Sequence, residues 1–347
     1  ELNVRWKRMV DLLQKGKAKE LPLRFLRYYL MATYDTTVGT KDGILREDSI
    51  YNWLNSQKGQ CGYEDDPFGF VQGLTTGAER YMFYLTGGDG AGDNHLKNIV
   101  RLGGSASKLH LLLLLAAVNM DEQALTHLKA LLESMVYYST VNQIKTNELE
   151  RLYAQWCKQI REIHTDEELT SFINNKIKPT ISQWKVNNRS NFMRIGFDSM
   201  QQYRVKFILA RITKYVDVRR KNGGDASNVE FYEGGIEIEH IMPQKYSAAY
   251  GISEDDYNAA KQRLGNLTLL EKTINASIGD DAFASKSEAY KQSAYYLTRS
   301  IAQLDDVGQQ TAINRMNQKL RSWSSWGPSM IEDRQAILYD LSEEIWN

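Results

Sequence analysis

Helical periodicity almost free of proline is what most restricts the folds open to this chain. Five prolines occur in 347 residues, about 1.4% against a usual ~5%, and proline is the residue that most sharply ends a helix. Leu149, Leu152, Tyr153, Trp156, Ile160 and Ile163 recur at the spacing of one buried helical face. Leu125, Leu128, Leu132 and Met135 do the same in the segment before them. Thr165 followed by Glu168 fits a capping box, in which hydroxyl and carboxylate each satisfy an orphan backbone donor. Pro22, Pro67 and Pro179 fall near the expected element boundaries. Residues 1 to about 222 therefore read as helix after helix, and all-β or disordered readings are disfavoured.

A different pattern follows. The helix expected over about 199–220 carries Tyr203, Phe207, Ile208, Ile212, Tyr215 and Val216 on its apolar side, and Arg204 and Arg211, two turns apart, share a face. Residues 221–225 form a polar, Gly-containing break. After it, Ile236-Glu237-Ile238-Glu239-His240 alternates with the period of a strand, and Leu267-Thr268-Leu269-Leu270, introduced by Gly265-Asn266, is a second strand candidate. The expected architecture is mainly α, with a helical domain over 1–225 and a small domain over 226–347 holding the strands and C-terminal helices. The Gly-rich run 87–92 reads as a loop without the Lys and Ser/Thr of a phosphate-binding loop.

Cys61 and Cys157 stand far apart with no second Cys near either, which excludes a Cys-based zinc cluster and a disulfide framework. The apolar run 111–118 is far shorter than the ~20 residues of a membrane span. The chain starts at Glu1, and no signal-peptide pattern follows. The expectation is a cytoplasmic protein, not membrane-bound, and a piece of something longer.

The 43 basic and 43 acidic residues cancel, yet they are not mixed evenly. Residues 176–222 hold twelve Lys or Arg and two acids, Asp198 and Asp217, a net charge of +10; the remainder holds 31 and 41, or -10. A basic segment of that density suits a polyanion, because each phosphate neutralised releases counterions. Lys185, Arg189, Arg194, Arg204, Lys206, Arg211, Lys214, Arg219 and Arg220 are the candidates for DNA phosphates; the competing reading is a surface that pairs with the acidic remainder. Trp184, Tyr203 and Tyr215 fit core packing better than base stacking.

His95, His110, His127 and His164 are scattered through the helical half and read as packed or surface residues. His240 differs: it closes a strand, follows Glu239, and is soon followed by Pro243. Strict alternation would send Glu239 and His240 to opposite faces, so one site for both requires the strand to end there. An acid or amide oxygen on each side could hold one hard divalent cation while His activates water.

Ile238-Glu239-His240-Ile241-Met242-Pro243-Gln244, then Leu264-Gly265-Asn266-Leu267-Thr268-Leu269-Leu270 and Asn275, resembles the HNH (ββα-metal) nuclease motif. The form is similar to that in the C-terminal domain of GmrSD-type type IV restriction endonucleases and the SspE-like antiphage proteins. Phe283, Lys286 and Tyr290, then Trp326, Ile331, Arg334, Leu338 and Trp346, extend the resemblance over about residues 199–347. It implies a small ββα-metal domain embedded in helices and a metal-dependent endonuclease acting on DNA, phage or modified DNA above all. By that resemblance His240 is the general base, Glu239 and Asn275 ligate a divalent metal (Mg²⁺, with Mn²⁺ as alternative), Asn266 braces the loop holding His240, and Lys286 contacts a phosphate. Glu stands where the motif more often has Asp, and 26 residues separate His240 from Asn266. Ser253-Glu254-Asp255-Asp256 is expected to cap a helix inside that connection.

Relatives of this type carry an upstream ParB-like nucleotidase domain with an Asp-Gly-Gln-Gln-Arg signature. Gly308-Gln309-Gln310 lacks the Asp and Arg and lies on the wrong side, so that partner domain is expected outside this chain; a homo-oligomer is also open. Whether glucosylated hydroxymethylcytosine or phosphorothioate marking is sensed stays open. The rival reading is a non-catalytic helical DNA-binding or assembly module on an HNH-like scaffold. RNA cleavage would share the metal chemistry.

Overall fold

The computed structural model describes residues 1–15, 18–88, 93–103, 108–306 and 308–347. It is 66% helix and 4% strand, the mainly α architecture that the helical spacing and scarce proline require. The chain divides into two compact units, Glu1–Gln183 and Trp184–Asn347. The polar break at 221–225 lies inside the second unit, between the Gln202–Arg219 helix and the first strand.

In the first unit the helices begin and end where their chemistry directs. Pro22 and Pro67 occupy first helical positions, where a missing N–H costs nothing. Thr165 and Glu168 form the expected capping box at the start of the Asp166–Phe172 helix. Leu149, Tyr153, Trp156 and Ile160 of the Thr146–Arg161 helix are buried as their spacing requires. Every residue of the His110–Ala116 helix is buried. Glu20, 4% exposed, is partnered inside: it accepts from Tyr81 Oη at 2.9 Å and Lys108 Nζ at 2.5 Å. Both cysteines are buried free thiols. Residues 89–92 of the Gly-rich run lie outside the described residues.

His110 is buried differently, since neither ring nitrogen has a hydrogen-bond partner. Burial pushes its imidazole down to about 4 from 6.5. The free imidazole of the unfolded chain takes up a proton first, so this contribution to stability is complete above about pH 6.5 and is lost as pH falls towards 4. The loss amounts to about 3 kcal/mol, at ~1.4 kcal/mol per pH unit. Denaturant titrations at pH 7 and pH 4.5 should show a smaller stability loss in His110→Leu than in wild type, with the share due to the likewise buried His240 remaining; an unchanged loss would refute it.

The second unit centres on a two-stranded antiparallel sheet, β1 (Ile236–His240) and β2 (Leu267–Glu271), with Glu239 opposite Thr268 and His240 opposite Leu267. The Lys272–Ile278 helix follows β2 at once, completing a ββα unit. Ser253 caps the Glu254–Gln262 helix within the β1–β2 connection, and its three acids lie in the first turn against the positive helix end. The C-terminal helix, Pro328–Trp346, packs on the turn Leu264–Asn266 that leads into β2. A Cβ on Gly265 would lie 2.0 Å from the Ile331 carbonyl oxygen, so only glycine allows that approach. Arg334, buried on this helix, donates to the carbonyls of Gly265 (2.9 Å) and Leu267 (2.7 Å), and Gln335 Oε1 accepts from the Gly265 N–H at 3.1 Å.

Candidate active site

β1 ends at His240, and both Glu239 and His240 are buried, 5% and 4% exposed. The imidazole packs edge-on against Phe197, with ring centroids 4.9 Å apart. Its Nδ1 lies 3.3 Å from the Gln244 side-chain amide, and its Nε2 is buried with no hydrogen-bond partner. Burial, with the nearby Lys286 and Lys261 cations, pushes the imidazole down to about 4, against an upward pull from Asp280. It is therefore neutral at pH 7, the state in which a ring nitrogen can take a proton.

The segment after β1 is held by Asn266, which is fully buried. Its Oδ1 accepts from Met242 N at 2.7 Å and Trp326 Nε1 at 2.9 Å, while its Nδ2 donates to Met242 O at 3.2 Å and Lys261 O at 2.9 Å. Two acceptor and two donor interactions use the full capacity of a primary amide. Backbone joins as well, with Ile241 N donating to Asn266 O at 2.9 Å.

Glu239 turns inward. Its Oε1 accepts from Lys286 Nζ at 2.7 Å and from Tyr290 Oη at 2.8 Å, both on the Phe283–Tyr290 helix. Burial raises its carboxyl above the ordinary range, opposed by the Lys286 ammonium and the Tyr290 hydroxyl. Lys286, 1% exposed, also donates to the His240 carbonyl at 2.7 Å. A phosphate contact by Lys286 is incompatible with this burial: the ammonium is a structural link between Glu239 and the end of β1.

Asn275 lies on the Lys272–Ile278 helix and donates from Nδ2 to Glu237 Oε2 at 2.8 Å. Its carboxylate neighbour is thus the glutamate two positions before Glu239. Glu237 lies outside the motif resemblance, although Glu237 and Glu239 share the i, i+2 spacing of one strand face. Among the described residues no group of three or more His, Cys, Asp or Glu is placed to hold a metal. The oxygens of Glu237 and Asn275 nevertheless suit a hard cation that keeps most of its water, as Mg²⁺ does.

The basic segment is largely committed to protein partners. Lys185 pairs with Glu343 (3.3 Å), Arg189 with Asp340 (3.4 Å), Lys214 with Glu230 (2.8 Å) and Arg220 with Asp217 (3.2 Å). Arg204 Nε donates to Tyr203 Oη at 3.1 Å, and Lys206 and Arg219 lie over the rings of Tyr232 and Tyr215. Arg211 is 5% exposed and donates to the Ala226 carbonyl at 2.5 Å, so it too is structural and cannot reach a phosphate. Trp184 and Tyr215 are buried core residues, whereas Tyr203 is 37% exposed. Arg189, Arg194 and Arg219 are exposed, and Arg219 lines a concave surface with Arg315 and Lys319.

Residues 184–341 match the C-terminal domain of the GmrSD restriction endonucleases. The match coincides with the second unit and supports a nuclease role for it. Trp326, Ile331, Arg334 and Leu338, which extended the motif resemblance downstream, lie within the matched GmrSD segment and are all buried. No curated protein matches the chain significantly. No helix among the described residues is long and apolar enough to cross a membrane.

Proposed function

We propose that the second unit is a metal-dependent HNH endonuclease that hydrolyses DNA phosphodiester bonds within a restriction or antiphage system. The observation that carries the reading is His240: a buried, neutral imidazole with an unpartnered Nε2 at the end of the first strand of a ββα unit, braced by a saturated Asn266. Nε2, enclosed in this structure, accepts the proton of the attacking water once substrate binding opens a path to it. For that, the other proton must sit on Nδ1, which the Gln244 amide receives if its oxygen faces the ring; amide orientation and imidazole tautomer exchange by local rotation and proton shift. A divalent cation, Mg²⁺ or Mn²⁺, supplies charge stabilisation at the phosphate and the leaving oxygen. Asn266 keeps the backbone of residues 241–242 in place, and the Lys286 link to the His240 carbonyl anchors the end of the strand.

DNA phosphates are met first by the exposed cations Arg194 and Arg219, which position the duplex without reading its sequence. Arg189, Arg204, Lys185, Lys214 and Arg220 contribute only by exchanging their present partners, and the exposed Arg189–Asp340 pair, of a kind worth about 0–1 kcal/mol, exchanges most easily. A ParB-like nucleotidase segment is the proposed partner, and a cytoplasmic setting the proposed location.

Supercoiled plasmid and a single-stranded RNA incubated with the protein, with Mg²⁺, Mn²⁺ or excess chelator, test the reading. Conversion of plasmid to nicked or linear form with either metal, and none with chelator, is expected. Cleavage unaffected by chelator would refute the metal dependence, and RNA cleaved in preference to plasmid would refute the substrate. Binding of plasmid without conversion would favour the assembly-module reading.

A further inference from the structure

We propose that Glu237, with Asn275, is the carboxylate that holds the divalent cation, and that Glu239 is a positioning residue locked to Lys286 and Tyr290. The assignment rests on the endonuclease reading above. Its basis is what each carboxylate already touches. Glu239 is buried, and one of its oxygens takes both an ammonium and a phenol hydroxyl within 2.8 Å. A metal at that oxygen would compete with the Lys286 ammonium, 1% exposed, for its counter-ion, and a dication bound at the same carboxylate would repel it.

Glu237 is half-buried, and the side chain it meets is the Asn275 amide. Their polar atoms are 2.8 Å apart. Adjacent ligands of an octahedral Mg²⁺ with bonds of ~2.1 Å lie about 3 Å apart, so this spacing is that of two neighbouring coordination positions. Asn275 needs only to turn its amide so that the oxygen, instead of the nitrogen, faces the carboxylate side. A cation between them replaces the present hydrogen bond and leaves four positions for water and phosphate oxygen. Few protein ligands and much water is the usual Mg²⁺ arrangement. It is also consistent with no larger donor cluster gathering among the described residues.

The two glutamates then divide the work along one strand. Glu237, further from the strand end, carries the ion. Glu239, next to His240, fixes the strand end through Lys286, whose ammonium also holds the His240 carbonyl.

Mn²⁺ binding to the full chain, followed by the electron paramagnetic resonance signal of free Mn²⁺ without DNA, reads the assignment independently of cleavage. Glu237→Gln and Asn275→Ala are each expected to weaken Mn²⁺ at least tenfold with the melting temperature within about 2 °C of wild type. Glu237→Asp should retain affinity within about threefold. Glu239→Gln should lower the melting temperature and, measured below it, bind Mn²⁺ within about threefold of wild type. Unchanged Mn²⁺ affinity in Glu237→Gln overturns the assignment, whether or not the Glu239 variant folds, and leaves the nuclease reading intact. No Mn²⁺ binding by wild type at millimolar metal, together with no cleavage, removes the nuclease reading and the assignment with it.

Discussion

Alanine at position 240 is expected to lower plasmid cleavage by about 10²–10⁴-fold, the range over which a positioned general base contributes. The loss should appear in the rate at saturating DNA and not in DNA affinity, because the imidazole is buried and the role proposed for it is proton transfer through Nε2. The ring also packs on Phe197, so His240→Ala opens a small cavity. His240→Gln is therefore the companion variant: it fills most of the space, accepts a hydrogen bond, and cannot take up a proton near neutral pH. Circular dichroism and melting checks exclude unfolding as the cause. Cleavage by His240→Gln within threefold of wild type would remove His240 from the role of base.

The second large effect is on stability. Lys286→Met removes the cation from a buried carboxylate and leaves Glu239 with Tyr290 alone. Breaking one side of a buried pair costs about 3–5 kcal/mol, which for a unit of this size corresponds to roughly 10 °C in melting temperature. The His240 carbonyl loses a donor in the same change, so cleavage should fall as well. Replacing both partners, Glu239→Leu with Lys286→Met, should recover much of the stability, because no unpaired charge then remains inside. A drop under about 2 °C for Lys286→Met would show that the pair is not buried in solution. Failure of the double variant to recover stability would place the weight on Tyr290 or on the His240 carbonyl instead.

Much of the helical frame was legible because it is local. The spacing of Leu149, Tyr153, Trp156 and Ile160, the Thr165–Glu168 cap and the Ser253 cap each depend on residues within a few positions. The strands were legible from alternation in β1 and the apolar run of β2. The role of the basic segment was not legible, because charge counts do not record pairing. Asp340 and Glu343, the partners of Arg189 and Lys185, lie about 150 residues downstream on the C-terminal helix, and Arg211 is turned inward to a backbone carbonyl.

By itself the sequence determined that the chain is helical, that two short strands flank a long connection, and that His240, Asn266 and Asn275 occur in motif order. Those properties follow from periodicity, capping and chain order, which act over short separations. Only the tertiary structure decided which carboxylate Asn275 meets, that Lys286 is an internal counter-ion, and that Asn266 is saturated by Met242, Lys261 and Trp326. Glu237 and Glu239 are chemically identical and two residues apart. They differ because the Phe283–Tyr290 helix brings an ammonium and a phenol to one of them, while the Lys272–Ile278 helix brings an amide to the other.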